Sequence, residues 1–390
     1  MECVRRRKKI NRLSLVESSP GHGEESMARK TSKVLFASAV PERMDVDCTL
    51  PAKFDRLMAK LGIKDVVAGR TVAIKMHVGG NIGYSTIHPL FVKLLVDHIN
   101  TGKPKRVFIT DGDIGSAASR GYALQTVGAE LVPLCGTDWK AVKRLPTGWP
   151  LLGHALVGKE IMKADVLVNF SHVKGHGDCG FGGACKNLAM GCVPPETRRD
   201  LHQLEGAIVW KKAKCTRCGK CIDVCPTKAN SFDDKGEFTI FWHDCKMCQH
   251  CVLACPVKAI DIPARTFVPF QEGLARVARL VMEQFDSKNV FHVNVLTHIT
   301  PYCDCWGLTT PAMVPDIGIM ASRDIVAVEQ ASLDSIKAGN LIPGSIPPPL
   351  KLRKGRHLFE KLHARDPYLQ IRFLEKLGCG TSKYELEKVK

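Results

Sequence analysis

The sequence predicts an α/β fold: a mixed, mostly parallel sheet with helices on both faces, interrupted by a small α+β insert. Two observations lead to this prediction. Short apolar segments alternate with amphipathic ones over residues 34–170 and again after residue 261, and such alternation is typical of a parallel sheet covered by helices. Between these stretches lies a cysteine repeat that follows neither pattern. Because neither flank looks complete alone, we expect one larger domain with an insertion.

The first flank predicts strands and helices in alternation. Its apolar runs predict strands at 34–39, 71–77, 106–110, 131–134 and 164–170. Helices are predicted at 51–61, 89–98 and 116–126. The first helix is amphipathic, since Phe54, Leu57 and Met58 share one face and Gly62 can end it. Ser116 can cap the third helix.

The second flank continues the same pattern. It predicts helices at 273–285, 324–338 and 366–377, strands at 290–296 and 316–320, and a proline-rich loop at 343–349. We therefore expect one domain formed by residues 27–205 and 262–390, with residues 206–261 as the insert. Residues 1–26 are basic and lack the apolar core of a secretory signal, so we expect a disordered tail, and Met27 looks like a more natural start.

The cysteine repeat is C-x2-C-x2-C-x3-C-P, present twice with a period of 30 residues. Three thiolates with this spacing can bind one face of a cubane-type iron–sulfur cluster. The fourth thiolate of each run binds the second cluster. The spacing assigns one [4Fe–4S] cluster to Cys215, Cys218, Cys221 and Cys255, and a second to Cys245, Cys248, Cys251 and Cys225. Zinc ribbons also use C-x2-C pairs, but they would leave four of these thiolates unexplained. Residues 206–261 resemble the bacterial two-cluster ferredoxins, which implies a ferredoxin-like insert and electron transfer.

Polar side chains follow several predicted strands, at the edge where ligands bind in open α/β sheets. They are Lys75, His77, Asp111, Asp113, His172, Lys174 and His176. A glycine-rich loop at 171–192 adds Lys186. Imidazoles four residues apart suit metal binding or proton transfer, and a lysine among glycines suits anion binding or charge stabilisation. The catalytic candidates are therefore Lys75, His77, His172, His176 and Lys186.

Each candidate also has a purely structural explanation. His77 and His88 could be capping or buried, hydrogen-bonded histidines, Asp111 could cap a turn, and Lys186 could be solvated. The pair Cys303 and Cys305 could form a further metal or redox site, or could be inert thiols. Alternate residues of a strand face opposite ways, so this pair would need a turn to converge.

The composition limits which cellular compartment and which binding partners we expect. Of the 17 cysteines, those outside the repeat are odd in number and scattered along the chain. This distribution fits a reducing cytoplasm better than a disulfide scaffold. The net charge of +17 is spread along the chain and no nucleic-acid module is recognisable, so we do not expect nucleic-acid binding. The slightly basic insert suits an acidic redox partner, although a solvated surface explains it more simply. No run approaches the roughly 18 apolar residues of a membrane span.

Several further segments carry a resemblance to a known family. They are Lys75-Met-His77, Thr86-Ile-His88-Pro89, Thr110-Asp111-Gly112, His172-Val-Lys174-Gly-His176, Gly183-Ala-Cys185-Lys186-Asn187-Leu188, Cys303-Asp304-Cys305, the run 322–328 and the ending 377–386. From about residue 30 to its end, the chain resembles the iron–sulfur proteins of the domain of unknown function 362 family. The resemblance implies an α/β core with two cubanes and gives no substrate. Cys185 stands where we expect a small apolar residue, and Glu329 where we expect Asp.

Two classes of function follow. One is a ferredoxin-linked oxidoreductase, in which electrons pass through the clusters to a substrate or a metal-bound group at the strand ends. The alternative is a non-catalytic electron carrier or assembly subunit. Zinc-dependent nucleic-acid binding would use the positive charge but fits the cysteine spacing badly. A pocket with convergent His and Lys beside a cluster favours the enzyme, whereas a flat, exposed cluster face favours the carrier. The identity of the small-molecule substrate and the presence of an additional metal or ligand stay open questions.

Overall fold

The computed structural model describes residues 31–80, 83–204, 208–225, 227–240, 245, 250–261, 267–306, 309–348 and 350–390. The predicted tail, the start at Met27 and the predicted ligand Cys248 lie outside these residues. The described strands are β1 Ser32–Ser38, β2 Thr71–Lys75, β3 Arg106–Asp111, β4 Glu130–Pro133, β5 Val142–Pro146, β6 His154–Gly158, β7 Val166–His172, β8 Lys174–His176, β9 Gly180–Gly182, β10 Val209–Trp210, β11 Asn230–Phe232, β12 Phe238–Ile240, β13 Ile260–Asp261, β14 Val290–Leu296, β15 Gly318–Ser322 and β16 Tyr384–Val389. The described helices are α1 Leu50–Leu61, α2 Pro89–Thr101, α3 Leu124–Val127, α4 Ala184–Gly191, α5 Pro195–Gln203, α6 Lys220–Asp223, α7 His250–Ala254, α8 Phe267–Met282, α9 Ile325–Ser335, α10 Leu358–His363 and α11 Leu369–Lys376.

One central sheet has eight strands in the order β16–β1–β15–β14–β7–β2–β3–β4. Neighbouring strands are parallel, except that β15 runs antiparallel to both β1 and β14. The carboxyl ends of β2, β3, β7 and β14 therefore meet at one edge, which is where open α/β sheets bind ligands. The predicted mixed, mostly parallel α/β fold is confirmed.

Helices cover both faces of this sheet. Alternate residues of a strand point to opposite faces, and in β7 Leu167 and Val168 belong to two different buried apolar clusters. The first cluster includes residues of α4, α8, α9 and α11, and the second includes residues of α1 and α2. Each of these helices buries an apolar stripe against one side of the sheet. None of the described helices has the length and apolar character that crossing a bilayer requires.

Two predicted segments differ from the structure, and several elements were not predicted. The helix predicted at 116–126 is a short 3-10 turn, Ala118–Arg120, followed by the separate α3. Gly121 divides them because its φ of 82° is left-handed, a conformation that ends a helix. The predicted glycine-rich loop contains the hairpin β8–β9 and the helix α4. The hairpin β5–β6 and the edge strand β16 had no predicted counterpart.

The cysteine repeat lies between α5 and α8. Its described part has the short helices α6 and α7 and two two-stranded sheets, β10–β13 and β11–β12. The flanking helices pack on each other: a Cβ atom added to Gly273 of α8 would lie 2.8 Å from Leu204 Cδ1 and 2.9 Å from Leu201 Cδ2. The chain thus leaves the helical layer and returns to it at neighbouring points.

Candidate functional site

A cavity of about 130 Å³ lies at the carboxyl edge of the central sheet. Eight of the residues singled out in the sequence line it, which are His77, Asp111, Asp113, Lys174, His176, Lys186, Cys303 and Cys305. The other two catalytic candidates, Lys75 and His172, are buried and do not line the cavity. The structure brings these segments together because β2, β3 and β7 are neighbouring parallel strands and end at the same edge.

Asp111, at the end of β3, links Lys75 to His77. Its Oδ1 lies 3.0 Å from Lys75 Nζ, and its Oδ2 lies 2.8 Å from His77 Nδ1. Lys75 also donates to Asn187 Oδ1 at 2.8 Å. Burial favours the neutral acid, but Lys75 and His77 outweigh burial and hold the pKa of Asp111 well below its usual range. Asp111 also accepts from the Gly112 N–H at 2.9 Å, so it caps its turn and serves the site at once.

His77 brings an unpaired ring nitrogen to the cavity. Because the carboxylate of Asp111 only accepts, Nδ1 donates to it, and Nε2 is the ring nitrogen that Asp111 does not engage. Nε2 is buried and has no hydrogen-bond partner among the described residues. A carboxylate-held imidazole with its second nitrogen available is the arrangement found in general bases and in metal ligands.

His172 holds Asp304 in place and does not face the cavity. Its Nδ1 lies 2.7 Å from Asp304 Oδ2, and its Nε2 lies 3.0 Å from the carbonyl oxygen of Thr297, so both ring nitrogens are engaged. Asp304 also accepts from Ser85 Oγ at 2.9 Å and lies 3.3 Å from Lys174 Nζ. Side chains from three segments therefore fix the short turn around Asp304.

His176, Cys303 and Cys305 bring three metal-binding side chains together on the cavity wall. One ligand atom from each lies within 4.8 Å of the other two. The two sulfur atoms are 2.9 Å apart, and Lys186 Nζ lies 3.5 Å from Cys303 Sγ. The hydrogen bond from Cys305 lowers the pKa of Cys303, and so does the positive charge of Lys186. Together they outweigh burial, which raises it, and hold this pKa well below its ordinary value. Burial lowers the pKa of His176, so its ring is neutral.

Lys186 projects from the first turn of α4. Glu329 holds the start of this helix by accepting from the Ala184 N–H. Burial raises the pKa of Glu329 to about 7, and its Oε2 has no hydrogen-bond partner among the described residues. Cys185 points into the apolar core, where burial raises the pKa of its thiol well above the ordinary value. Of the two neighbours, only Lys186 reaches the cavity.

Other residues of the site were not predicted. Asn187 donates to the carbonyl of Lys75 at 2.9 Å and to Asn169 Oδ1 at 2.7 Å, so it ties α4 to two strands. Its position directly after Lys186 was the only local signal. Arg198 and His202 line the cavity from α5, a helix that was not predicted.

His88 caps a helix, which was the purely structural role considered for it in the sequence. It is the N-cap residue of α2, and its Nδ1 accepts from the Leu90 N–H at 3.2 Å. It does not line the cavity.

Four cysteines of the repeat line one common space. They are Cys215, Cys218, Cys221 and Cys255. The two halves of the repeat also share a backbone feature, since the Ala229 N–H donates to Cys225 Sγ at 3.2 Å and the Ala259 N–H donates to Cys255 Sγ at 3.1 Å. The other predicted set includes Cys248, which lies outside the described residues.

Comparison with solved structures gives distant likenesses only. A protein from Thermotoga maritima is 13% identical, with a TM-score of 0.40 over 76% of this chain and 60% of that one. The lactate racemase apoprotein from Thermoanaerobacterium thermosaccharolyticum is 13% identical, with a TM-score of 0.36 over 69% of this chain and 51% of that one. The chain thus spans between about half and three fifths of the length of these structures. Neither likeness supports an inference about function, and no curated protein matches the chain.

Comparison with family models confirms the family inferred from the sequence. The model described as a domain of unknown function (DUF362) matches residues 72–334, which is more than half of the chain. The matched range runs from β2 through the cysteine repeat to α9, and it contains the cavity residues from His77 to Cys305. The protein belongs to the DUF362 family.

Proposed function

We propose that the protein is an iron–sulfur oxidoreductase. In this proposal a ferredoxin-type insert, residues 206–261, holds two [4Fe–4S] clusters, and a small-molecule substrate reacts in the cavity at the sheet edge. The insert interrupts one α/β domain formed by residues 27–205 and 262–390. The observation that carries the proposal is that Cys215, Cys218, Cys221 and Cys255 line one common space, as the ligation rule for the doubled motif requires.

The donor set suits an iron–sulfur cluster better than a zinc ion. Three ligands come from one short segment and the fourth, Cys255, comes from the other half of the repeat, whereas zinc ribbons use two cysteine pairs. The N–H groups that donate to Cys225 and Cys255 are of the kind that tune reduction potentials. By the same rule a second set would be Cys245, Cys248, Cys251 and Cys225. The bound clusters would supply one-electron transfer.

Side-chain contacts connect the insert to the wall of the cavity. Phe267, the first residue of α8, packs against Cys245 of the second cysteine set. The guanidinium of Arg365 lies 3.6 Å from the centre of the Phe267 ring. Two residues earlier, His363 Nε2 lies 2.7 Å from the carbonyl oxygen of Pro301, which is two residues before Cys303. A pocket linked to the insert through these neighbouring segments favours an enzyme over a carrier, because the protein's task in redox catalysis is to position a cofactor against the substrate.

The cavity has the groups that an oxidoreductase needs beside an electron source. His77 Nε2 can take or give a proton, while Asp111 fixes the ring and Lys75 in turn holds Asp111. Lys174 and Lys186 line the same cavity and can stabilise negative charge that develops on a substrate. These residues therefore divide into a proton-transfer group and a charge-stabilising group.

A redox partner would dock at the outer end of the insert. Cys218 is exposed, and the exposed cations Lys214, Arg217 and Lys220 surround it in the sequence, so an acidic protein surface suits this face. The same exposure favours the second candidate function, a non-catalytic electron carrier or assembly subunit. None of the described cysteines forms a disulfide, and on this basis we assign the protein to the reducing cytoplasm.

Anaerobic purification with iron and sulfide analysis tests the proposal. We expect about eight iron and eight sulfide ions per chain, with coupled EPR signals from two cubanes after reduction. Zinc without sulfide would overturn it. Turnover of a substrate that depends on reduced clusters, and that is lost on changing His77, separates the enzyme from the carrier.

A further inference from the structure

The cavity holds a donor set that the proposed iron–sulfur clusters do not use. His176 lies on β8, whereas Cys303 and Cys305 flank Asp304 in a turn more than 100 residues later in the chain. One ligand atom of each of the three residues lies within 4.8 Å of the other two. The fold has therefore brought an imidazole and two thiols from distant segments to one point on the cavity wall.

We propose that His176, Cys303 and Cys305 bind one divalent transition metal of borderline softness, such as Zn²⁺, Ni²⁺ or Co²⁺. Two sulfur ligands and one imidazole nitrogen select such metals over Mg²⁺ and Ca²⁺, which prefer oxygen. Three protein ligands are also the number typical of catalytic metal sites, where a further position stays open for a substrate or water. The metal would lie in a cavity that His77 also lines.

The surroundings of the two sulfurs suit a fixed ligand pair. Asp304, between them, is held by His172 Nδ1 at 2.7 Å, by Ser85 Oγ at 2.9 Å and by Lys174 Nζ at 3.3 Å. Such outer contacts orient the ligands of metal sites and strengthen binding. This arrangement gives His172 a role as a positioning residue, which agrees with the engagement of both its ring nitrogens.

Lys186 gives the pair a further property. Its Nζ lies 3.5 Å from Cys303 Sγ and favours the thiolate, which is the form that binds metals. Its positive charge would also remain beside the metal, where it can attract an anionic substrate.

This inference goes beyond the proposed function and does not depend on iron in the insert. Co²⁺ is a suitable probe because X-ray absorption at the cobalt edge is not affected by the iron of the clusters. The full chain, purified anaerobically with its clusters, would be equilibrated with Co²⁺ alone. We expect roughly one cobalt ion per chain, with both sulfur and nitrogen among its nearest neighbours.

Variants assign the ligands. Cys303→Ser and His176→Gln should each weaken cobalt binding by at least about tenfold, whereas Cys379→Ser, a change at a partly buried cysteine that does not line the cavity, should leave binding unchanged. Cys215→Ser should lower the iron content and leave the cobalt site intact, so failure of the cluster proposal and failure of the metal proposal give different results.

Three results would overturn the inference. They are a wild-type chain that binds no cobalt in excess of surface sites, a cobalt environment without sulfur, and a Cys303–Cys305 disulfide found by mass spectrometry in the anaerobic protein. The first two measurements use the wild-type chain, so they remain decisive even where a variant fails to fold.

Discussion

Lys75 and Asp111 form a buried ion pair, with Nζ 3.0 Å from Oδ1 and side-chain exposures of 0% and 4%. The pair joins the ends of two neighbouring strands, and the second oxygen of Asp111 holds His77. Removing one partner of such a pair is costly because the other charge is left buried without compensation. The pair therefore links the stability of the sheet edge to the orientation of the imidazole that lines the cavity.

Lys75→Met should lower the free energy of unfolding by about 3 kcal/mol or more, because Asp111 then loses its buried counter-ion. Urea unfolding at neutral pH measures this change. The matched control is Lys93→Met, which breaks an exposed ion pair with Asp97 four residues away on α2 and should cost less than about 1 kcal/mol. Equal losses in the two variants would contradict the buried pair.

His77→Gln should lower cluster-dependent turnover by about 100-fold or more, because it removes Nε2, the nitrogen that we propose transfers the proton. The iron content and the unfolding midpoint should stay close to those of the wild-type protein. His88→Gln is the control, since His88 caps α2 and does not line the cavity. If both variants turn over substrate at the wild-type rate, the assignment of His77 is wrong.

Glu329→Gln should flatten the dependence of stability on pH. Burial raises the pKa of Glu329 to about 7 from the ordinary 4.5, so between these values the folded state holds a proton that the unfolded state has lost. Stability must then fall as the pH rises through this window, by about 3 kcal/mol in all. Above the window the wild-type protein carries the full penalty, and the variant, which cannot ionise, avoids it.

Urea unfolding at pH 5 and pH 8 measures the difference. Glu283→Gln is the control, because Glu283 is an exposed residue paired with Arg279 and its loss should shift both curves alike. Parallel curves for the wild-type protein and Glu329→Gln would show that the carboxyl titrates normally.

Cys221→Ala should lower the iron content from about eight to about four ions per chain, since it removes a ligand of one proposed cluster. Cys251→Ala should do the same for the other cluster, and the two losses should appear in different EPR signals. Cys48→Ala is the control, because Cys48 is buried near α1 and far from the repeat in the sequence. Full iron in either cluster variant would argue against the assignment.

Local patterns predicted seven of the eight strands of the central sheet and most of the large helices, because each buries a periodic apolar face of its own. The rule that polar residues follow strand ends selected His77 and His176, and the glycine-rich loop selected Lys186. The fold brings all three to one cavity. Other features depend on contacts between distant segments. Glu329 holds the start of α4 from 145 residues away, which is one reason why a helix forms where the glycines predicted a loop.

The roles of the buried polar residues depend on distant contacts as well. His172 meets Asp304 across 132 residues, and Lys75 meets Asn187 across 112. No local spacing encodes such pairs, so the sequence predicted His172 as a catalytic group facing a ligand, whereas in the structure both its nitrogens bond within the protein. In the sequence, Asp304 was notable only as the residue between two cysteines.

The packing of α5 on α8 has a consequence for the ancestry of the chain. Because Leu201 and Leu204 lie against Gly273, the two ends of the intervening segment are close together, as they are where domain insertions are tolerated. A single in-frame recombination event could therefore add or delete the cysteine-rich module between them without changing the order of the strands in the large sheet. Relatives that lack the module would be expected to keep this helix contact and to bridge it with a short turn.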